Sequence, residues 1–287
     1  MGMSDATDRP SATAPAAVRP AQRRAGAKAT PPSRGPVLLL HGQPGGARDW
    51  ERVIAALHPE TRAIAINRPG WDGASEPLDL PGNAAAALRS LDARGIDRAT
   101  IVGHSLGAAI AAWLAAHHPE RVRALVLASP AANRDSLYAL DRLLAAPVAG
   151  YVTTVAALAG VGLALAASPL RRLAAGGLSM DEHYLKAASR RLLEPASWRA
   201  HLAEQRALVK DLPALEQHLP RISAPTTILV GAGDRIVPVA SARRLATQIP
   251  GAQLELVSGA GHLLPQRHPQ RLAEVIAAAL DDASPRF

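Results

Sequence analysis

The sequence predicts an α/β fold with a mostly parallel, doubly wound sheet and an inserted helical cap. Short, continuous apolar runs alternate with alanine- and leucine-rich helical segments between residues 37 and 128, and strand-like runs return after residue 225. Such runs are typical of strands buried on both faces of a parallel sheet. The strand pattern stops between residues 133 and 219, where the composition becomes helical. We therefore expect residues 36–132 and 220–287 to form the core and residues 133–219 to form the cap.

The first 35 residues differ in composition from the rest of the chain. They are rich in Ala, Pro, Ser, Thr and Arg and show no apolar periodicity, which predicts a disordered or linker-like tail. No apolar segment follows the twin arginine at Arg23 and Arg24, so no signal peptide is expected. The chain contains no cysteine, which excludes disulfides, thiolate metal sites and a cysteine nucleophile. Together these observations favour a cytoplasmic location.

The net charge of +8 does not predict a nucleic-acid partner. Residues 1–35 hold six basic residues against two acidic ones, so half of the net charge lies in the tail. Aromatic residues make up only 3% of the chain, and no basic patch is interleaved with them, as nucleic-acid binding surfaces usually require. No set of His and carboxylate residues has metal-site spacing. We expect neither a metal nor a cofactor.

The elements of the core follow from the apolar runs in chain order. We predict a helix at residues 50–57, capped by Asp49, and further helices at 84–93 and 107–117. The strands are predicted at residues 37–40, 62–67, 99–102, 124–128, 226–230 and 253–257.

The pentapeptide Gly103-His104-Ser105-Leu106-Gly107 joins the strand at 99–102 to the helix that follows it. A nucleophilic serine at such a turn holds a strained backbone, and glycines two residues on either side let strand and helix approach closely. The first N–H groups of the helix point at any negative charge that forms beside Ser105. Ser105 is therefore the candidate nucleophile.

A serine hydroxyl needs a base and a carboxylate, and both follow later strands. Asp234 comes after the strand at 226–230, and His262 after the strand at 253–257. Histidine takes the serine proton, and the carboxylate fixes its tautomer and stabilises the imidazolium. The loop after the strand at 124–128 offers no carboxylate before Asp135, so Asp234 is preferred.

The loop His41-Gly42-Gln43-Pro44-Gly45 follows the first strand. With the Ser105 pentapeptide and the chain order Ser, Asp, His, it makes residues 36–280 resemble the α/β-hydrolase superfamily, in particular its cap-bearing esterase, lipase and C–C hydrolase type. The resemblance implies that Ser105 is the nucleophile, His262 the base and then the acid, and Asp234 its orienting carboxylate. It also implies an oxyanion hole made by the backbone N–H groups of Gln43 and Leu106.

The function implied by this resemblance is hydrolysis of a carboxylic ester or thioester of a small apolar substrate, without a cofactor. The same residues serve C–C bond hydrolases, haloperoxidase-like enzymes and acyltransferases, and these alternatives stay open. A module that binds an apolar ligand without turning it over is the alternative from another class. Serine at position 105 argues against the dehalogenase and epoxide hydrolase branches, which use aspartate there.

A run of 28 residues without a charged side chain, 143–170, lies inside the expected cap, between Arg142 and the pair Arg171 and Arg172. Its length would reach across a bilayer, but prolines and glycines interrupt it. We favour a pair of apolar cap helices that line an apolar pocket. The alternative is weak contact with a membrane surface, and hence peripheral association, because basic flanks attract anionic lipid.

Overall fold

The structure is a computed structural model that describes residues 35–282. The expected tail, up to residue 34, and residues 283–287 of the expected core lie outside the described residues. In the described part, one parallel sheet has the strand order β2-β1-β3-β4-β5-β6, which confirms the predicted fold class. The strands are β1 (Val37–Leu40), β2 (Ala63–Ile66), β3 (Ala99–His104), β4 (Val122–Ala128), β5 (Thr226–Gly231) and β6 (Gln253–Val257).

Helices cover both faces of this sheet and also form a separate group between β4 and β5. Those of the core are α1 (Glu51–Ala56), α2 (Leu80–Asp92), α3 (Leu106–His117), α9 (Val239–Gln248), α10 (Leu264–Arg267) and α11 (Pro269–Asp282). The others, which we call the helical insertion, are α4 (Ala139–Ala145), α5 (Pro147–Ala166), α6 (Ser168–Leu178), α7 (Glu182–Leu192) and α8 (Pro195–His218).

Alternating side chains of the central strands pack into two apolar cores, one on each face of the sheet. Leu38 and Leu40 of β1 pack with α2, α3 and the end of α8 on one face. Val37 and Leu39 pack with α1 and α11 on the other. Strands β1 and β3 are buried along their whole length, whereas the edge strands β2 and β6 are partly exposed. This gradient explains why the central strands have continuous apolar sequences.

Two helix starts differ from the prediction for a local reason. Helix α2 begins at Leu80 rather than at residue 84, because the side chain of Asp79 accepts a hydrogen bond from Gly82 N at 3.0 Å and caps the helix there. The predicted cap of residues 50–57 by Asp49 is wrong. Asp49 lies inside a 3-10 turn, Ala47–Trp50, that precedes α1, and its carboxylate accepts from Gly46 N at 3.1 Å.

The apolar run 143–170 does not form the expected pair of helices. Most of it belongs to the single helix α5, which has 20 residues. Only Gly150, Thr154, Leu158 and Gly162 of α5 are buried. The sequence could not predict which residues of α5 are buried, because a helix that is apolar on every side carries no signal for the side that faces the protein.

Gly107 marks the closest approach of α3 to the sheet. A Cβ atom at this position would lie 2.2 Å from the carbonyl oxygen of Leu40 in β1. Because the obstacle is backbone, we expect Gly107→Ala to lower the free energy of unfolding by about 3 kcal/mol. Urea denaturation of both proteins measures this difference.

Gly160 provides the matched control for this substitution. It lies in α5, and nothing stands within 4 Å of a Cβ atom placed there. Gly160→Ala should leave stability unchanged or raise it by about 1 kcal/mol, since alanine is the better helix former. Equal effects of the two substitutions would contradict the close packing at Gly107.

Candidate active site

Ser105, Asp234 and His262 come together at the carboxyl ends of the strands. Ser105 directly follows β3, Asp234 lies three residues after β5, and His262 lies five residues after the neighbouring strand β6. Parallel strands end at the same edge of a sheet, and ligands of such sheets bind beyond that edge. The structure therefore places at one edge of the sheet the three residues that the sequence places in separate loops.

The turn at Ser105 holds a backbone conformation that is unusual for a residue with a side chain. Its φ is 54° and its ψ is −118°. A non-glycine residue with positive φ costs about 1–3 kcal/mol, which the surroundings must offset. Ser105 N donates to the carbonyl of Ala128 at 3.0 Å, and Ala131 N donates to the carbonyl of Ser105 at 3.2 Å. A Cβ atom on Gly103 would lie 2.3 Å from the carbonyl oxygen of Gly107, so this tight turn requires glycine.

His262 and Asp234 form a buried pair. The Nδ1 atom of His262 donates to Asp234 Oδ2 at 2.9 Å, and the side chains are 10% and 0% exposed. The other carboxylate oxygen accepts from the N–H groups of Ile236 and Val237 at 2.9 and 3.0 Å. Burial alone would raise the pKa of Asp234, but these hydrogen bonds and the charge of His262 hold it below its ordinary value. Asp234 is therefore ionised at neutral pH, as an orienting carboxylate must be.

His104, beside the nucleophile, holds the His262 loop in place. Its Nε2 atom donates to the carbonyl of His262 at 2.9 Å, and the centres of the two imidazole rings are 4.9 Å apart. Burial, together with the nearby His262, lowers the pKa of His104 to about 3. The ring of His104 therefore remains neutral at physiological pH.

The loop that follows β1 lies against Ser105. A Cβ atom on Gly42 would be 3.1 Å from Ser105 Cβ, so Gly42 packs directly against Ser105. Gln43 is the next residue along the chain. Leu106 is the first residue of α3, and N–H groups in the first turn of a helix have no acceptor within that helix. The Gln43 side chain turns towards the helical insertion and donates from Nε2 to Gln205 Oε1 at 2.7 Å. Gln205 in turn donates to the carbonyl and side chain of Asp141 in α4.

A buried ion pair joins the loop after β2 to the helical insertion. Arg68 pairs with Glu204 of α8, and both side chains are 1% exposed. Glu204 also accepts from the indole N–H of Trp71 at 2.9 Å. Burial raises the pKa of Glu204, while Arg68 and Trp71 oppose the rise. Sequence reasoning missed this pair, although the loop Arg68-Pro69-Gly70 lies at the carboxyl edge of the sheet, where functional loops gather.

Arg68 also holds the loop that contains Gln43. Its guanidinium donates to the carbonyl oxygens of His41 at 3.2 Å and Gly42 at 2.9 Å. The N–H of Arg68 donates to His41 Nε2 at 3.2 Å, and His41 Nδ1 donates to the carbonyl of Gly42 at 2.8 Å. Burial and the neighbouring Arg68 keep the pKa of His41 well below its ordinary value. His41 therefore organises the loop.

Other polar contacts tie the insertion to the core beside this loop. Tyr184 donates its hydroxyl hydrogen to Asp49 at 2.9 Å, and Arg191 donates to the carbonyl of Gly45 at 2.8 Å. Two cavities of about 530 and 470 Å³ flank the Asp49–Tyr184 contact, and Arg191 lines the second of them. Ser105, Asp234 and His262 line neither cavity.

Asp135, the rival carboxylate, lies elsewhere. It pairs with Arg244 of α9 at 3.2 Å, and both side chains are about half exposed. Among residues 35–282, no group of three or more His, Asp or Glu side chains is arranged to hold a metal ion.

Comparison with known proteins agrees with this architecture. The family model of the alpha/beta hydrolase fold matches residues 35–269. The 2-hydroxy-6-oxononadienedioate/2-hydroxy-6-oxononatrienedioate hydrolase of Burkholderia vietnamiensis is 28% identical over 253 residues, which cover 84% of this chain and 85% of that protein. A Klebsiella pneumoniae protein named "Putative carbamate hydrolase RutD" is 31% identical over 241 residues, which cover 79% of this chain and 84% of that protein.

Solved structures show the same fold. The meta-cleavage product hydrolase of Pseudomonas fluorescens superimposes with a TM-score of 0.67 at 21% sequence identity, covering 87% of this chain and 92% of that one. The family model spans more than half of the chain, and its matched region contains the sheet and all the site residues described above. The chain belongs to the alpha/beta-hydrolase family.

Proposed function

We propose that this hydrolase is a serine enzyme that cleaves a carboxylic ester or thioester of an apolar substrate through an acyl-enzyme on Ser105. The observation that carries the proposal is the Nδ1–Oδ2 contact of 2.9 Å between His262 and Asp234, next to the strained Ser105 turn. Because Nδ1 of His262 donates to the carboxylate, Nε2 is the basic nitrogen, and it is the one free to accept a proton.

In the first half of the reaction, the Ser105 hydroxyl attacks the substrate carbonyl while His262 Nε2 takes its proton. The resulting imidazolium is stabilised by the carboxylate of Asp234. The negative oxygen of the tetrahedral intermediate is held by the N–H groups of Gln43 and Leu106, each worth about 3 kcal/mol in the transition state. His262 then protonates the leaving alcohol or thiol, and the acyl group stays on Ser105.

In the second half, His262 removes a proton from water, which attacks the acyl-enzyme. The same two N–H groups hold the second oxyanion. Collapse of this intermediate releases the carboxylic acid, and His262 returns its proton to Ser105. Both halves use residues of this chain alone.

Residues 133–219 act as a cap in this proposal. One buried link, Glu204 with Arg68, and two partly buried ones, Gln205 with Gln43 and Tyr184 with Asp49, support it. They hold the helical insertion against the loops that border Ser105. Helices placed there exclude water and shape the substrate pocket, so the insertion sets the substrate preference.

Cleavage of a C–C bond in an anionic substrate is the second candidate. The relative from Burkholderia vietnamiensis is named for a dioate substrate. Arg191, which touches Gly45 and lines the 470 Å³ cavity with Arg48 and Arg190, is a cation suited to a carboxylate. Against this, Arg68 beside the Gln43 loop is already neutralised by Glu204, so the ester remains the first candidate.

The Arg68–Glu204 pair acts as a positioning pair in this proposal. Arg68 grips the two carbonyls that precede Gln43, and Glu204 fixes Arg68 from the insertion. The pair therefore sets the direction of the Gln43 N–H, and small errors in that direction weaken the oxyanion hole.

Ser105→Ala should abolish hydrolysis of p-nitrophenyl esters from acetate to palmitate, because no other group supplies the nucleophile. It should also abolish labelling by a fluorophosphonate probe. Wild-type turnover across the series gives the preferred chain length. The same assay on a 2-hydroxy-6-oxo-dienoate tests the second candidate.

Each result has a definite meaning. A folded wild-type protein that turns over no ester and resists the probe has no activated serine, and the binding-module alternative replaces this proposal. Labelling with turnover of the dienoate alone identifies a C–C hydrolase.

Glu204→Gln should lower kcat for the best ester by about ten-fold or more with little change in KM, since the oxyanion acts after substrate binding. Stability should also fall, because Arg68 is left with an uncompensated buried charge. Steady-state kinetics measures the split between kcat and KM.

Asp211→Asn is the control for the Glu204 variant. Asp211 is a second buried carboxylate of α8, and it accepts from Leu80 N at 3.1 Å, away from the Gln43 loop. It should leave kcat unchanged. If both variants lose stability and kcat alike, the Arg68–Glu204 pair is structural only.

The pKa of His104 predicts a pH effect on stability. The unfolded chain takes up a proton at His104 below about pH 6.5, whereas the folded protein does so only near pH 3. Stability is therefore fully present above pH 6.5 and falls as the solution is acidified towards pH 3. Between pH 7 and pH 5 this residue alone should cost about 2 kcal/mol. Urea unfolding should show that the free energy of unfolding falls less between pH 7 and pH 5 in His104→Asn than in wild type, by that amount. An equal fall in both proteins would refute a neutral His104.

A further inference from the structure

The exposed large apolar side chains of the described residues are concentrated on the helical insertion. Eleven of the fourteen lie between Tyr138 and Leu178, in or just before α4, α5 and α6. Val148 is 77% exposed, Leu173 73%, and Leu163 63%. Single exposed apolar residues are ordinary, but a contiguous group marks a surface that binds something.

Helix α5 faces the protein along a narrow stripe that includes two glycines. The buried positions 150, 154, 158 and 162 follow one another at intervals of four and form a narrow stripe. Gly162 packs so closely that a Cβ atom there would lie 2.9 Å from Leu193. The larger residues Val148, Val152, Val161 and Leu163 point away from the protein. Three of the four buried residues of α5 are small, as at the protein contacts of helices that face lipid.

The exposed charges around this surface are mainly basic: Asp141 of α4 is held by Gln205, and Glu182 pairs with Arg171. From Arg142 to Met180 the sequence contains three arginines and no Asp, Glu or Lys. Arg142 and Arg172 are exposed. The side chain of Arg206 in α8 reaches the start of α5, where it donates to the carbonyls of Ala145 and Pro147. An apolar face with a rim of arginines complements an anionic lipid surface.

We propose that α4, α5 and α6 form a docking surface for an anionic lipid interface, with α5 lying along the membrane plane. Helix α5 is long and apolar enough to span a bilayer, but its buried stripe is packed in the protein. It also contacts α7 and α8. Docking along the surface uses the exposed face and leaves those contacts intact.

A second copy of the chain fits the same surface less well. In a twofold dimer each copy would present the same face. The exposed Arg142 and Arg172 of one copy would meet the same arginines of the other. The nearby carboxylates Asp141 and Glu182 already bind Gln205 and Arg171. Charge complementarity therefore favours lipid over self-association.

The test is vesicle flotation of the full chain, with vesicles of phosphatidylcholine alone or mixed equally with phosphatidylglycerol. Wild type should bind the mixed vesicles. Val152→Asp combined with Leu163→Asp should weaken that binding by about ten-fold or more, because two exposed apolar side chains are lost and charge is added. Arg142→Ser and Arg172→Ser should each weaken binding to the mixed vesicles by about five-fold and not affect the neutral ones.

Ile54→Asp is the matched control. Ile54 is an exposed apolar residue of α1, outside the proposed surface, and its replacement should leave binding unchanged. The basic residues of the first 34 positions are the same in every variant. Circular dichroism and melting of each variant confirm that it folds.

Three results would overturn the proposal. They are no binding of wild type to the mixed vesicles, equal binding of wild type and the double aspartate variant, and a dimer in sedimentation velocity that this variant dissociates while vesicles stay unbound. The last result would assign the surface to a second copy of the chain.

Discussion

The approach of backbone to backbone around Ser105 is the constraint on which the rest of the site depends. Gly103 and Gly107 let α3 start within van der Waals contact of β3 and β1, and a side chain at either position would strike a carbonyl at 2.3 or 2.2 Å. This proximity sets the Gly42 loop against Ser105, and it aims the first N–H groups of α3 at the same point. The strained φ of Ser105 is held because the end of β4 and the loop after it bond to the N–H and the carbonyl of the residue.

The Arg68–Glu204 pair is the second constraint, and it joins two parts of the chain that are 136 residues apart. A buried ion pair is a weak source of stability, because desolvation opposes the attraction between the charges. Its geometry is more informative. Arg68 also donates hydrogen bonds to the carbonyls of His41 and Gly42. One side chain therefore holds both the insertion and the Gln43 loop. A hydrophobic replacement of similar size would keep the packing but release those carbonyls.

The sequence was sufficient for the strands and for the placement of Ser105, Asp234 and His262, because each follows an apolar run whose end falls at one edge of a parallel sheet. It was not sufficient for Glu204. In a helix that also contains exposed charges, a glutamate has the pattern of a surface residue, and only tertiary contact reveals that it is 1% exposed. The predicted cap at Asp49 was wrong for a related reason. An aspartate can cap several kinds of turn, and the local hydrogen bond to Gly46 N decides which turn forms.

The helical insertion binds the core through polar side chains on one side and exposes apolar side chains on the other. Its polar links, at Glu204, Gln205 and Tyr184, all point to the loops beside Ser105. Gln205 also holds Asp141 at the start of α4, so the apolar face begins two hydrogen-bonded side chains away from Gln43. Exposed Val and Leu on that face cost free energy in water. No fold requirement explains them, because the stripe of Gly150, Thr154, Leu158 and Gly162 already secures α5. The outward face of α5 is therefore better explained by what it contacts than by how the protein folds.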